Sequence, residues 1–318
     1  MIWLAGVNNM SYEREMLEKM AMPTKQEVKV AIIKTLFKHN GSIKEFSSGQ
    51  FIVDEIADLF LLNTEQREKV LERIYRKENR IVKTPLWHRL LYRSANELAN
   101  EHFVTRPSDT MALTNKKEWL ITEKGVDYAL KLLNIPIYQK EKIPTQSYEV
   151  HKEINRIKEQ PRPDYYVPFE EKQKTKIAKK EISIRTRSFR QTIIEAYDFS
   201  CSICGLKINS PNSLFWEVEA AHIVPHGLNG KDDIWNGIAL CRLHHWAFDV
   251  GWFSLSNNYR IIVSSHIENL SCDFGIIGNM EVFRKSFGSN KAILLPQKKS
   301  FCPHESSIEW HRNHVFFN

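Results

Sequence analysis

"GIALCRLHHWAFDVG", residues 237 to 251, holds a Cys, two intervening residues and then two adjacent histidines, at the point where an apolar run gives way to an amphipathic one. Upstream, "CSIC" supplies Cys201 and Cys204, and "CRLH" here supplies Cys241 and His244. Two pairs with that spacing can enclose one tetrahedral zinc ion through a pair of turns. The expected structural Zn²⁺ site is therefore Cys201, Cys204, Cys241 and His244. His245 is left over for some other use.

Further upstream, "EVEAAHIVPH" alternates apolar and polar residues up to His222, and "DDIWNGIALC" carries Asn236 between the two histidine stretches. A His closing a strand, an Asn in the connecting loop and a His opening a helix beside a zinc pair follow the order His-Asn-His. The stretch from about 183 to 256 resembles the HNH nucleases. The likeness extends over "RTRSFRQTIIEAYDFSCSICG", "AAHIVPH", "NGIALC" and "HHWAFDVGW", which are similar to the HNH subfamily of bacterial restriction and defence proteins. "SSIEWHRNHVFF" is similar to that subfamily's tail.

The resemblance implies a zinc-stapled ββα-metal domain with catalytic residues His222, Asn236 and His245. His222 acts as general base on water, since a neutral imidazole suits proton abstraction near neutral pH. Asn236 orients that imidazole through its amide, and His245 holds a catalytic Mg²⁺ or Mn²⁺. One departure stands out. Many such nucleases place an acidic metal ligand directly before the base histidine, and here that position is Ala221. Asp249, one helical turn after His245, shares its face and is the expected second ligand. Glu219 is the runner-up, because a regular strand aims it away from His222. Arg185, Arg187 and Arg190, just ahead of the zinc pair, are candidate phosphate contacts, with structural salt bridges as the alternative.

The amino-terminal half reads differently. "QEVKVAIIKTLFKH" places Val28, Ile32 and Leu36 on one helical stripe, and "FIVDEIADLFLL" and "NTEQREKVLERIYRK" read as two more helices, the latter capped by Asn63 or Thr64. In "LWHRLLYRSANELANE", residues 86 to 101, Trp87, Leu91, Ala95 and Leu98 fall on one face, while Arg89, Tyr92, Arg93 and Asn96 fall opposite. "HFVTRP", the polar turn "SDTMALTNKK" and "EWLITEKG" then read as strand, loop and strand before a last helix, "VDYALKLL". Helices followed by a two-stranded wing is the winged-helix order. The helix around Trp87, "HFV" and "WLITEKG" resemble the N-terminal domain of the Mrr restriction-protein family. That resemblance implies that Arg89, Arg93 and Asn96 face DNA, with Lys116 and Lys117 near the wing. Arg suits guanine and Asn suits adenine in the major groove. A helical packing or dimerisation domain with solvated arginines is the alternative.

The expected architecture is α+β: residues 1–21 an N-terminal extension that fits no element, 22–135 a mainly helical winged helix, 136–182 a charged, partly helical linker, and 183–318 the nuclease. Within the linker, "QSYEVHKEINRIKEQPRP" reads as a spacer helix ended by Pro161 and Pro163, and "EEKQKTKIAKK" as a solvated helix face. A net charge of +7 suits a polyanion, double-stranded DNA, as partner. No apolar run is long enough to span a bilayer, and "MIWLAGVNNM" lacks the basic flank of a signal peptide, so a cytoplasmic protein is expected. Met1, Met10 and Met22 each stand as a start. One hydrolytic centre per chain favours a homodimer. The rival functions are an idle zinc-containing DNA-binding regulator and a nuclease recruited by protein contacts. Intact His222, Asn236 and His245 argue against the first, since zinc stability requires none of them.

Overall fold

The Thr24 hydroxyl accepts from the Glu27 backbone while the Glu27 carboxylate accepts from the Thr24 backbone, a reciprocal cap that satisfies two amides at the start of a helix. In the computed structural model, which describes residues 12–75, 80–170, 179–211, 215–269, 280–288 and 290–318, this cap separates α1 (Tyr12–Lys19) from α2 (Lys25–Lys38). The chain is mixed α/β and largely helical, and it divides into two compact units. The first is Met1–Lys140 with Thr145–Glu149, and the second is Glu141–Pro144 with Val150–Asn318.

In the first unit, Val28, Ile32, Ile33 and Leu36 of α2 are fully buried. They pack among α3 (Gln50–Leu59), α5 (Leu86–Asn100) and α7 (Glu123–Leu132). Trp87 lies in this core, as its place on the apolar face requires, and its indole N–H donates to the Val53 carbonyl at 3.2 Å. A three-stranded antiparallel sheet crosses the unit, with β1 (Ser42–Lys44), β4 (Val104–Thr105) and β5 (Glu118–Ile121) in the order β1-β5-β4.

Two local expectations are corrected. The helix expected over 63–77 begins at the Asn63 cap as α4 (Thr64–Glu68) but ends there, and β2 (Val70–Tyr75) follows, paired with β3 (Arg80–Pro85). "IVKTP", with its β-branched residues, supplies a strand partner, and that pairing overrides helix propensity. Second, the polar turn expected after β4 is a helix, α6 (Pro107–Thr114), with Pro107 at its first turn and Asn115 closing it at φ 56°. The spacer helix expected within 136–182 is α8 (Tyr148–Glu159), whose Val150, Ile154 and Ile157 are buried, Ile157 within the core of the second unit. The charged run at 170–180 lies mostly outside the described residues.

The second unit is built on a hairpin of β6 (Val218–His222) and β7 (Gly237–Cys241), in register from Val218↔Cys241 to His222↔Gly237. The long helix α9 (Lys179–Ala196) packs on both strands. Gly237 permits that approach, because a Cβ there would lie 2.4 Å from Ile193. The hairpin runs straight into α10 (Arg242–Asp249), which packs back on it. β8 (Phe253–Leu255), β9 (Ile261–Val263), α11 (Met280–Phe287) and α12 (Glu305–His314) complete the unit. Among the described residues, no helix is long and apolar enough to cross a membrane.

Candidate active site and metal centre

The zinc donors come from two turns. Cys201 and Cys204 lie just after α9, and Cys241 ends β7 so that His244 falls in the first turn of α10. Their ligand atoms all lie within 4.8 Å of one another, including Cys241 Sγ to His244 Nδ1 at 3.0 Å, Cys201 Sγ to His244 Nδ1 at 3.7 Å and Cys204 Sγ to Cys241 Sγ at 4.0 Å. A tetrahedron with Zn–S bonds of about 2.3 Å has edges of roughly 3.5–3.8 Å, so the four donors fit the ion with small adjustment. His244 Nε2 stands 3.2 Å from the Ser286 carbonyl, which can only accept, so the proton sits on Nε2 and the Nδ1 lone pair faces the sulfurs. Hydrogen bonds among the sulfurs pull the Cys201 thiol below its ordinary range and push Cys241 above it. This is a Cys3His cluster suited to structural zinc. Cys302 is buried elsewhere, and Cys272 lies outside the described residues.

His222 ends β6. Its ring stacks on Phe189 of α9, with centroids 4.0 Å apart, and its Nε2 lies 2.8 Å from Asp232 Oδ1. Burial alone would raise the Asp232 carboxyl, but the hydrogen bond from His222 and the charges of His222, His226 and Arg185 outweigh it and hold the group below the usual range. Asp232 is therefore an acceptor, and the proton between them belongs to His222 Nε2. His222 Nδ1 has no hydrogen-bond partner among the described residues. Asp232 was not expected from the sequence. It lies ten residues beyond His222, in the loop that returns the chain to β7, and only the folded loop brings it to the ring.

Asn236 occupies a different place from the one expected. Its side chain accepts from the Val224 backbone at 2.8 Å and donates to the Val224 and Lys231 carbonyls at 3.0 Å each. It is fully buried and fastens the loop between β6 and β7, so its link to His222 runs through that loop's backbone.

His245 faces two carboxylates. Glu219 Oε2 stands 3.1 Å from its Nδ1 and Asp249 Oδ2 stands 3.6 Å from its Nε2. The runner-up Glu219 is thus nearer than Asp249, although β6 is regular in register. Burial pulls the His245 pKa down, but the hydrogen bond to Glu219 and the charges of Asp249 and Glu219 push it above its ordinary value. Asp249 is raised by burial and by the charge of Glu219, against the opposing charges of His245 and His222. The two carboxylates sit at opposite ring nitrogens, so a shared cation requires the imidazole or one carboxylate to turn. Among the described residues, the donor group that closes within 4.8 Å is the Cys3His cluster.

The expected phosphate contacts divide. Arg190 is half-buried and makes no hydrogen bond or ion pair among the described residues; burial lowers its pKa, with the charge of Glu219 opposing. Arg187 is 3% exposed, buried on α9. Arg185 pairs with Glu170 and lies 4.0 Å from Asp232. In the first unit, Arg89 and Arg93 of α5 both reach the Glu13 carboxylate of α1, at 2.5 and 2.9 Å. Asn96 lies 3.4 Å from Arg106 Nε, and Lys116 and Lys117 are exposed just before β5.

Residues 201–256 match the family model described as HNH endonuclease. No curated protein matches the sequence. Among solved structures, the chain is similar to a "Modification dependent TagI restriction endonuclease" at 16% identity and a TM-score of 0.30, over 44% of this chain and 44% of that one. It thus spans less than half the length of that protein, and so low a score carries no argument about fold or activity. The family match falls on the stretch that joins the Cys3His cluster to His222 and His245, and so residues 201–256 contain an HNH-type endonuclease domain.

Proposed function

We propose that this protein is a metal-dependent endonuclease of the restriction or defence type, cutting double-stranded DNA with His222 as general base. The observation that carries this reading is His222 Nδ1, a ring nitrogen without a partner among the described residues, while its Nε2 is held by Asp232. The Asp232 carboxylate keeps the proton on one nitrogen, which leaves the lone pair of the other to accept a proton. Glu219, His245 and Asp249 are the residues to hold Mg²⁺ or Mn²⁺. When bound, such a cation supplies charge stabilisation for the phosphate and the leaving oxygen.

Water gives a proton to His222 Nδ1, its oxygen bonds to phosphorus, the P–O3′ bond breaks, and the leaving oxygen takes a proton from solvent. The imidazolium that forms lies against the Asp232 carboxylate. Arg190, half-buried without a counter-ion in contact among the described residues, is suited to a non-bridging phosphate oxygen. Asn236 keeps the loop that carries Asp232 in place.

The first unit is read as a winged-helix DNA reader, supported by helices ahead of a sheet ordered β1-β5-β4, with α5 as the groove helix. Lys116 and Lys117 stand beside β5 as backbone contacts. A modified-base target fits this organisation, as do a cytoplasmic location and a homodimer, since one centre per chain cuts one strand at a time.

The test is cleavage of plasmid grown with and without base methylation, by the wild type and by His222→Ala, with Mg²⁺ or Mn²⁺. The reading expects metal-dependent cutting that the variant lacks. Equal binding by both proteins with no cutting by either, on both plasmids and in both metals, is the result that favours a DNA-binding regulator.

A further inference from the structure

We propose that Asp232 is a positioning residue for the reaction: it holds the proton of His222 on Nε2, so that Nδ1 always presents its lone pair to the attacking water. The inference rests on the reading of His222 as general base and adds to it the group that makes it one.

Four observations converge. The Asp232 side chain is 5% exposed, and its Oδ1 lies 2.8 Å from His222 Nε2. A buried carboxylate at that distance from an imidazole does not pack by apolar burial; it is kept where its acceptor is used. The ring is also fixed in plane by Phe189, stacked at 18° and 4.0 Å, so that rotation about χ2 is opposed on one face while Asp232 selects the nitrogen. Finally, Asn236 ties the Lys231 carbonyl, the residue before Asp232, and both backbone groups of Val224, two residues after His222. The two ends of the hydrogen bond are thus braced by one buried amide. Arg185, 4.0 Å from Asp232 Oδ2 and paired with Glu170, supports the carboxylate from the far side.

The arrangement works on charge as well as on tautomer. As His222 takes the water proton, the new positive charge appears beside an existing negative one, in a site that excludes most solvent, where such pairs are strengthened. The logic is that of a histidine oriented by a buried aspartate in acyl-transfer enzymes, where replacing the carboxylate by an amide costs about 10⁴ in kcat through the wrong tautomer.

Two measurements on the full-length, zinc-loaded protein test this. The first is the long-range ¹H–¹⁵N spectrum of the histidine rings, with His222 assigned by its loss in His222→Ala. The wild type is expected to show the Nε2–H tautomer, and a proton on Nδ1 overturns the proposal whatever the variants do. The second is cleavage by Asp232→Asn and Asp232→Glu. Asp232→Asn is expected to lower kcat by about a hundredfold or more at little change in KM. Its ring spectrum should lose the pure Nε2–H form, and Asp232→Glu should recover part of the rate. If His222→Ala is inactive while Asp232→Asn cuts within about threefold of wild type with an unchanged tautomer, Asp232 has no such role. If His222→Ala itself cuts at the wild-type rate, the general-base reading fails first.

Discussion

Asn236 closes both backbone hydrogen bonds of Val224, accepting from its N–H at 2.8 Å and donating to its carbonyl at 3.0 Å. One side chain thus does for this loop what a neighbouring strand does elsewhere, and it is fully buried while doing so. Asn236→Ala strips partners from Val224 N–H, Val224 O and Lys231 O. With each buried orphan costing about 1–3 kcal/mol, partly relieved by entering water, a loss of about 3 kcal/mol is expected. Urea unfolding of the second unit checks this. An unchanged midpoint removes the loop-fastening role.

Metal analysis should find one zinc per chain, lost in Cys201→Ser or Cys241→Ser and kept in Cys302→Ser, because Cys302 is buried away from the cluster. Chelation should lower the thermal midpoint of the second unit, since ion binding there is folding free energy. Equal zinc content in all three variants would place the ion elsewhere.

His311 gives stability an acid limb. Its Nε2 donates to the Phe248 carbonyl at 3.0 Å, its Nδ1 lies 2.9 Å from the Ser254 hydroxyl, and its ring stacks on Phe248. Burial pushes its pKa from 6.5 down to about 4, against the raising effect of the Phe248 carbonyl. Above pH 6.5 neither folded nor unfolded chain holds this proton. As pH falls from 6.5 towards 4 the unfolded chain takes it up and the folded chain does not, so stability declines, by up to about 3 kcal/mol. Unfolding measured across this window for His311→Gln should show a shallower decline than the wild type. Parallel curves would count against the assignment.

Glu13 neutralises Arg89 and Arg93 together. If these arginines read DNA, as proposed, Glu13 competes with the duplex for them. Glu13→Gln should then tighten duplex binding by about threefold to tenfold, and steepen its salt dependence by about 0.9 for each additional phosphate that the freed arginines neutralise. Fluorescence anisotropy at several salt concentrations reads both. Weaker binding, with a lower melting temperature, would assign the trio to structure alone.

The chemistry legible before folding is the chemistry that depends on short spacing. Cys201 with Cys204, and Cys241 with His244, are each joined by a single turn, so each pair forms locally, while the hairpin brings the two pairs together. The amphipathic face of α5 and the Asn63 cap were legible for the same reason, because helix period and capping are local. Folding alone chooses the partners of side chains whose nearest neighbours are distant in sequence. Asp232 meets His222, Glu219 meets His245 from another element, and Glu13 crosses to Arg89. The β2–β3 hairpin belongs to the same class: Val70–Tyr75 sits next to a short helix and becomes a strand because Arg80–Pro85 is there to pair with it. Spacing along the chain sets which groups are available; long-range packing, with its buried donors and acceptors to satisfy, chooses which of them meet.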